Sequence, residues 1–471
     1  MNFLSLIKVK IIMMFFLIST LLIMTTTPSS IDLRGIVEGF YGMPWTYEDR
    51  ADLITFCGQN NLNSYIYAPK DDPYHRDKWR EPYPEDKIKE LEKLITVSRD
   101  SKVKFVFAVS PGLDLKYEGE EGEKDFNSLL VKLDSIYSIG GRDFAIFFDD
   151  ISVKTGDGEK QAKFLNRLNA ELKNKYSDTG ALITVPTQYA LVHMIDKDGN
   201  VKEYTIGFST TLDKDIIVLY TGDGVVCDGI SEESYQKAKD VYGRDLGIWW
   251  NYPVNDFLPT KLALGPIEKL PTTRIESIFY NPMQQVQLSK LSIATGAEYA
   301  ASQETYDSFE SWNKVIDAQF GEIAWAMKVF AKHSMHMENS WAFAGPADAP
   351  EFYNLGHQAI IDTKDQKTVD FGPFIKLVDE MDNAANALME KLDKKILFEC
   401  SKQIAQFKRI IDGSRVAIKC LKEKKLDNEL LDIRKDIDNH RHQAILSEKS
   451  GIKFLDEVLD LFKNEILGIE K

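Results

Sequence analysis

Residues 144–150 read FAIFFDD. Five consecutive apolar residues, three of them phenylalanine, make a run that a parallel strand buries on both faces. The run stops at two adjacent carboxylates. The same unit, a short β-branched or aromatic run closed by a turn residue, recurs in both directions from it. The strands predicted in this way are Leu33–Glu38, Asn63–Tyr67, Lys104–Val109, Phe144–Phe148, Leu182–Val185, Ile216–Tyr220, Leu246–Trp250 and Ser277–Tyr280. Their starts lie about 30 to 40 residues apart, which leaves room for a helix and two loops. One such helix is plain in EDKIKELEKLITVSR (85–99), where Leu91, Leu94 and Ile95 share a face. Eight strands alternating with helices predict a (β/α)8 TIM barrel. A doubly wound sheet also alternates, but eight regular units without a GxGxxG turn favour closure.

From about residue 308 the strand pattern stops and helical spacing takes over. Phe374, Leu377, Val378, Met381, Ala385, Leu388 and Leu392 recur at i, i+3, i+4, i+7. Leu430 to Ile466 reads in the same way, and GPADAP (345–350) reads as a linker or turn. The chain is therefore divided into residues 1–30, a barrel over 31–307 and an α-helical bundle over 308–471. The bundle either braces the barrel or lines a groove for a larger substrate.

Residues 1–30 read as an address. Lys8 and Lys10 precede the apolar run Ile11–Met24, and TTTPSS follows. This is the layout of a secretory signal peptide, or of a membrane anchor if it is not cleaved. Either predicts a secreted or extracytoplasmic protein. With 58 Lys and Arg against 73 Asp and Glu, the net charge is −15. That argues against a nucleic-acid partner and against an enzyme for polyanions. The four cysteines read as buried free thiols, with a Cys400–Cys420 pairing as the alternative. HSMH (333–336) and HRH (440–442) lack a carboxylate or cysteine at metal spacing and read as solvated helix surface. Neither a metal nor a cofactor is expected.

Active sites of such barrels lie at the C-terminal ends of the strands, so the residues following each strand matter most. They are Gly39; Ala68, Pro69, Lys70, Asp71 and Asp72; Ser110, Pro111 and Gly112; Asp149 and Asp150; Tyr189; Thr221, Gly222 and Val225; Trp249, Trp250, Asn251 and Asp256; and Asn281. Aromatic faces with amide and carboxylate groups suit a neutral sugar, which offers an apolar face and many hydroxyls. Two carboxylates at the end of a buried strand predict that one pKa is driven up, giving a proton donor. Both reach the site only if the strand is already turning there; the alternative is that Asp150 caps the next helix. Acids adjacent on one strand do not suit the two facing carboxylates of ordinary glycosidases. They suit a substrate-assisted route, in which the sugar's own 2-acetamido oxygen attacks the anomeric carbon.

RGIVEGFYGMPW (34–45), NSYIYAPKDDPYHRDKWREPYP (63–84), FAVSPG (107–112), FFDDI (147–151), LITVPTQY (182–189), WWNYPVND (249–256), LALGP (262–266) and YNPM (280–283) closely resemble glycoside hydrolase family 84. These are β-N-acetylglucosaminidases that include the O-GlcNAcases and bacterial homologues, some named hyaluronidases. The resemblance covers about residues 32–305. It implies that Asp149 polarises the acetamido group and that Asp150 is the general acid/base. It implies that Gly39 (through its backbone), Lys70, Asp256 and Asn281 hold sugar hydroxyls and that Tyr189 bonds the acetamido group. Asn251 would orient the reacting groups, and Trp249 and Val225 would line the acetamido pocket or its wall. EGEEGEKD (118–125) reads as a long acidic loop on the rim near the aglycone.

The function expected is that of a retaining exo-β-N-acetylglucosaminidase, acting through an oxazoline intermediate on GlcNAc-bearing glycoproteins, glycopeptides or glycans. The alternatives are an endo-acting hyaluronidase, an inactive sugar-binding module and a membrane-anchored structural barrel.

Overall fold

A computed structural model describes residues 31–337 and 346–463. The predicted address, residues 1–30, lies outside the described residues, as do residue 345 of GPADAP and the end of the segment read to Ile466.

Alternation within the strands builds the architecture. In β4 (Asp143–Phe147), Phe144 and Ile146 pack outward with the helices, while Ala145 and Phe147 pack inward. The same parity orders β1 (Leu33–Glu38), β2 (Ser64–Tyr67), β3 (Lys104–Val109), β5 (Ile183–Val185), β6 (Ile217–Tyr220), β7 (Gly247–Trp250) and β8 (Ser277–Tyr280). Val37, Ile66, Val106, Ile183, Leu219, Trp249 and Phe279 fill the interior. Ile36, Tyr65, Phe105, Val218, Ile248 and Tyr280 face the surrounding helices. All neighbours are parallel and the sheet closes, with β1 paired to β8 in the register Leu33↔Ser277 to Ile36↔Tyr280. The eight predicted strands are all present, with ends shifted by at most one residue.

The outer layer is fastened by a buried charge pair. Arg50, on helix Tyr47–Gln59, makes a two-pronged bond to Glu38 at the end of β1: Nε to Oε2 at 2.9 Å and Nη2 to Oε1 at 2.8 Å. Tyr65 also donates to Glu38, and the guanidinium lies 4.9 Å from the Tyr67 ring centre. Glu38 is fully buried and Arg50 nearly so, so each charge depends on the other for its solvation.

Three sequence expectations need correction here. EGEEGEKD is not a loop. Gly119–Ser138 is a helix, with Glu120 and Glu121 in its first turn, where the helix dipole favours negative charge. Asp125 is buried and bonded to Arg80, Nε to Oδ1 at 2.6 Å. HSMH is not solvated surface. His333 is buried and bonded to Ser447 at 2.8 Å. His336 meets Asp348 at 2.9 Å, and Asp348 also bonds Lys261 at 2.6 Å. Those partners are distant in sequence, so local spacing could not show them. The segment from Leu430 is not one helix: Asn428–Asn439 ends at His440, and Lys453–Leu461 begins after a π-turn at Glu448–Ile452. Between them Ile445 bridges to Lys261 beside the barrel. Cys57, Cys227, Cys400 and Cys420 are all free thiols.

The helices after residue 308 have their own core, which also takes in Leu262, Leu264, Met283, Leu288 and Leu291. The barrel's last helix, Val286–Ala301, is capped from this region: Glu399 accepts from Gln287 N at 3.0 Å and Leu288 N at 2.9 Å. Trp312 Nε1 donates to Leu264 O at 2.8 Å. The helical region therefore packs directly on the barrel.

Arg50→Leu should cost about 3 to 5 kcal/mol in urea unfolding, because it leaves the Glu38 carboxylate buried without its partner. The double variant Arg50→Leu/Glu38→Leu should recover much of that loss.

Candidate active site

The parity of the strands carries on for one step beyond the sheet. The next inward positions are Gly39 after Val37, Lys70 after Ala68, Asp149 after Phe147, Thr221 after Leu219, Asn251 after Trp249 and Asn281 after Phe279. All six line one pocket in the mouth of the barrel, of about 260 Å³. All ten residues singled out from the sequence line it: Gly39, Lys70, Asp149, Asp150, Tyr189, Val225, Trp249, Asn251, Asp256 and Asn281. Among the described residues, none of the lining comes from the helices after residue 308.

The floor is aromatic. Phe147 and Trp249 meet edge to face at 5.4 Å. The Trp249 ring lies flat against the main chain at Gly39, where an added Cβ would stand 2.2 Å from the indole. Here glycine is required because a ring occupies the space of a side chain. Polar bonds fix this floor in turn. Trp249 Nε1 donates to Asn251 Oδ1 at 2.8 Å, and Asn281 Nδ2 donates to the same oxygen at 2.9 Å. Asn251 Nδ2 donates to Val225 O at 2.7 Å, and Gly39 N to Asn281 Oδ1 at 3.3 Å. Four strand ends, β1, β6, β7 and β8, are thereby tied together.

The carboxylates come from the end of β4. Asp149 is nearly buried, and its Oδ2 is paired with Lys70 Nζ. Its Oδ1 is buried and accepts no hydrogen bond from any described residue. Lys70 Nζ also lies 5.6 Å from the Trp249 ring centre. At Asp150 the chain leaves the strand in the left-handed region, φ 56°, which aspartate tolerates better than most residues. This turn brings a second carboxylate to the same mouth against the alternation. The next helix, Asp157–Lys175, begins after Gly156, so Asp150 does not cap it.

Both oxygens of Asp150 are occupied. Tyr41 OH donates to Oδ2 at 2.6 Å and Tyr189 OH to Oδ1 at 2.7 Å. Burial pushes the Asp150 carboxyl up, but the two hydroxyls and the charges of Lys70 and Arg76 outweigh it and hold the carboxyl below the usual range. The expected upward drive is thus not what Asp150 shows: its hydroxyl donors and the two nearby cations prevail. Asp256, by contrast, is pushed up by burial, although Tyr41 N donates to its Oδ2 at 2.8 Å.

Sequence reading passed over Tyr41, Arg76, Val254 and Phe257. Tyr41, Val254 and Phe257 line the pocket, and Arg76 donates to Tyr41 OH at 2.6 Å. They lie in loops, where strand parity gives no direction. Only the position of Tyr41 two residues after Gly39 could have pointed to it. Among the described residues, no group of three His, Cys, Asp or Glu side chains is placed to hold a metal ion.

A family model described as beta-N-acetylglucosaminidase matches residues 34–332, more than half of the chain. The chain belongs to the beta-N-acetylglucosaminidase family. A second model, described as hyaluronidase post-catalytic domain-like, matches residues 362–455. The chain is 32% identical over 278 residues to Protein O-GlcNAcase of Rattus norvegicus, a match covering 57% of this chain and 30% of that protein. The matched part is thus less than a third of that relative's length. The solved structure of CpGH84B superposes with a TM-score of 0.85 at 35% identity, over 92% of this chain and 77% of the other. A variant of the Thermobaculum terrenum O-GlcNAc hydrolase gives a TM-score of 0.80 at 28% identity, over 93% and 97%. The matches to both structures extend through most of the helical region of this family member.

Gly39→Ala should force either the Trp249 indole or the β1 main chain to move. Overpacking of this kind costs about 1 to 3 kcal/mol, so urea unfolding should show a loss of stability of that size.

Proposed function

We propose that the protein removes terminal β-linked N-acetylglucosamine with retention, using the substrate's acetamido group as the nucleophile. The observation that carries this reading is the state of Asp149. One of its oxygens is pinned by Lys70, and the other is buried without a hydrogen bond from any described residue. A buried acceptor of this kind costs free energy unless a donor arrives. An acetamido N–H is such a donor, and a carboxylate that accepts it makes the carbonyl oxygen more nucleophilic.

The chemistry then proceeds as follows. The acetamido oxygen attacks C1 as the bond to the aglycone breaks, giving an oxazoline with positive charge near nitrogen, which Asp149 stabilises. Asp150 gives a proton to the leaving oxygen, then takes one from the water that opens the oxazoline. For that first step Asp150 must carry a proton. In this reading Tyr189 supplies the change by moving its hydroxyl from Asp150 Oδ1 to the acetamido oxygen. With that bond gone and water excluded, the Asp150 carboxyl rises. Lys70, Asp256, Asn281 and the Gly39 main chain would hold the ring hydroxyls, and Trp249 and Val225 the acetamido methyl, with Asn251 orienting them.

The pocket volume, slightly below the ~300 Å³ at which small-molecule sites begin, suits one terminal sugar rather than a run of rings. That and the −15 charge disfavour an endo-acting hyaluronidase. The relatives named O-GlcNAcase and O-GlcNAc hydrolase support glycoproteins or glycopeptides as substrates. Export, by a cleaved signal or an uncleaved anchor, belongs to this reading and rests on the sequence of residues 1–30.

On 4-methylumbelliferyl β-N-acetylglucosaminide, replacing N-acetyl by N-trifluoroacetyl should slow fluorophore release steeply; insensitivity would place the nucleophile on the protein. Asp149→Asn should lower turnover of aryl and alkyl glycosides alike, by about 10²- to 10³-fold. Asp150→Asn should cost about 10²- to 10⁴-fold on an alkyl glycoside and much less on the aryl one. Equal losses from Asp150→Asn would refute the acid role.

A further inference from the structure

Arg76 belongs to the segment that follows β2, yet its guanidinium reaches two other loops. Nη1 donates to Tyr41 OH at 2.6 Å, in the loop after β1. Nη2 donates to the main-chain oxygen of Asp150 at 3.3 Å, in the turn after β4. The guanidinium also lies 5.7 Å from the Tyr41 ring centre. The hydroxyl it holds is the one that donates to Asp150 Oδ2. Arg76 therefore grips Asp150 at both ends: the backbone directly and the carboxyl through Tyr41. The backbone there is left-handed, a conformation that persists only when its surroundings fix it. The two prongs of a planar guanidinium can do this at once; an ammonium cannot.

We propose that Arg76 is a positioning residue for this reaction, clamping Tyr41 and the Asp150 turn together so that the Asp150 carboxyl stays aimed at the glycosidic oxygen. The proposal rests on the reading of Asp150 as the acid/base. Arg76 needs no contact with the sugar for this role.

The clamp has an electrostatic consequence. The groups facing Asp150 are Tyr41 from the β1 loop, Lys70 and Arg76 from the β2 loop, and its neighbour Asp149. Tyr189 and His193 face it from the segment after β5, and Asp256 from the β7 loop. Arg76 is one of the two cations, with Lys70, that hold the Asp150 carboxyl down. Loss of Arg76 therefore lets the Asp150 carboxyl rise. The alkaline limb of kcat, which reports the acid in the enzyme–substrate complex, should move to higher pH.

The test uses the full chain with Arg76→Met and Arg76→Lys, assayed on methyl and 4-methylumbelliferyl β-N-acetylglucosaminides across pH, with Asp150→Asn alongside. Arg76→Met should lower kcat on the methyl glycoside at least about tenfold with KM little changed, lower the aryl rate only about threefold or less, and shift the alkaline limb upward. Arg76→Lys keeps the charge and loses the fork, so it should restore the limb without restoring kcat on the methyl glycoside; it also carries the test if the methionine variant does not fold. Equal losses on the two glycosides, or full recovery by lysine, would overturn the clamp. If Asp150→Asn itself fails to discriminate the glycosides, the acid reading falls. If it discriminates and neither Arg76 variant does, only the role of Arg76 falls.

Discussion

Closure of the sheet through β1 and β8 is the constraint on which the rest of this molecule depends. Strands some 240 residues apart in sequence pair in one register, and that pairing turns eight separate strand ends into one ring. With the ring closed, side-chain alternation has a fixed meaning: one parity fills the interior and the other meets the helices. The residue that follows the last inward side chain of a strand has no neighbour above it. It faces the mouth, and polar residues at that level build a site without disturbing the packed layers below.

Electrostatics then divides two chemically identical side chains. Asp149 follows the alternation and meets Lys70, so it is buried with one oxygen paired and the other without a hydrogen bond from any described residue. Asp150 breaks the alternation through a left-handed turn and accepts two tyrosine hydroxyls. Lys70 pairs with the one, and two phenols donate to the other.

The helical region packs on the segments that follow β7 and β8. Its core reaches Leu262–Leu264 and the first turns of helix Val286–Ala301, which follows the strand carrying Asn281. A carboxylate at Glu399 satisfies two of that helix's opening N–H groups, which otherwise have no partner within the helix. The region thereby holds the last barrel unit in place while, among the described residues, it supplies no side chain to the pocket.

Strand number and strand limits were legible in the sequence, because each depends on short apolar runs and on local turn chemistry, and the site positions were legible through the family resemblance. FAIFFDD alone carries both the buried strand and the paired acids. What tertiary structure decided were the partners. That Lys70 would meet Asp149 rather than its neighbours Asp71 or Asp72, that Arg76 would grip Tyr41 and Asp150, and that His336 would find Asp348 all follow from chain closure and loop packing. The acidic stretch at 118–125 became a helix because Arg80 and the helix dipole receive its charge. Alternation, a property of each strand by itself, thus determines the inward residues at a strand's end, Asp149 among them, while loop turns decide that Asp150, Tyr189 and Asp256 join them. Tertiary structure determines which of them carry charge, since a pKa depends on neighbours that only the closed barrel brings together.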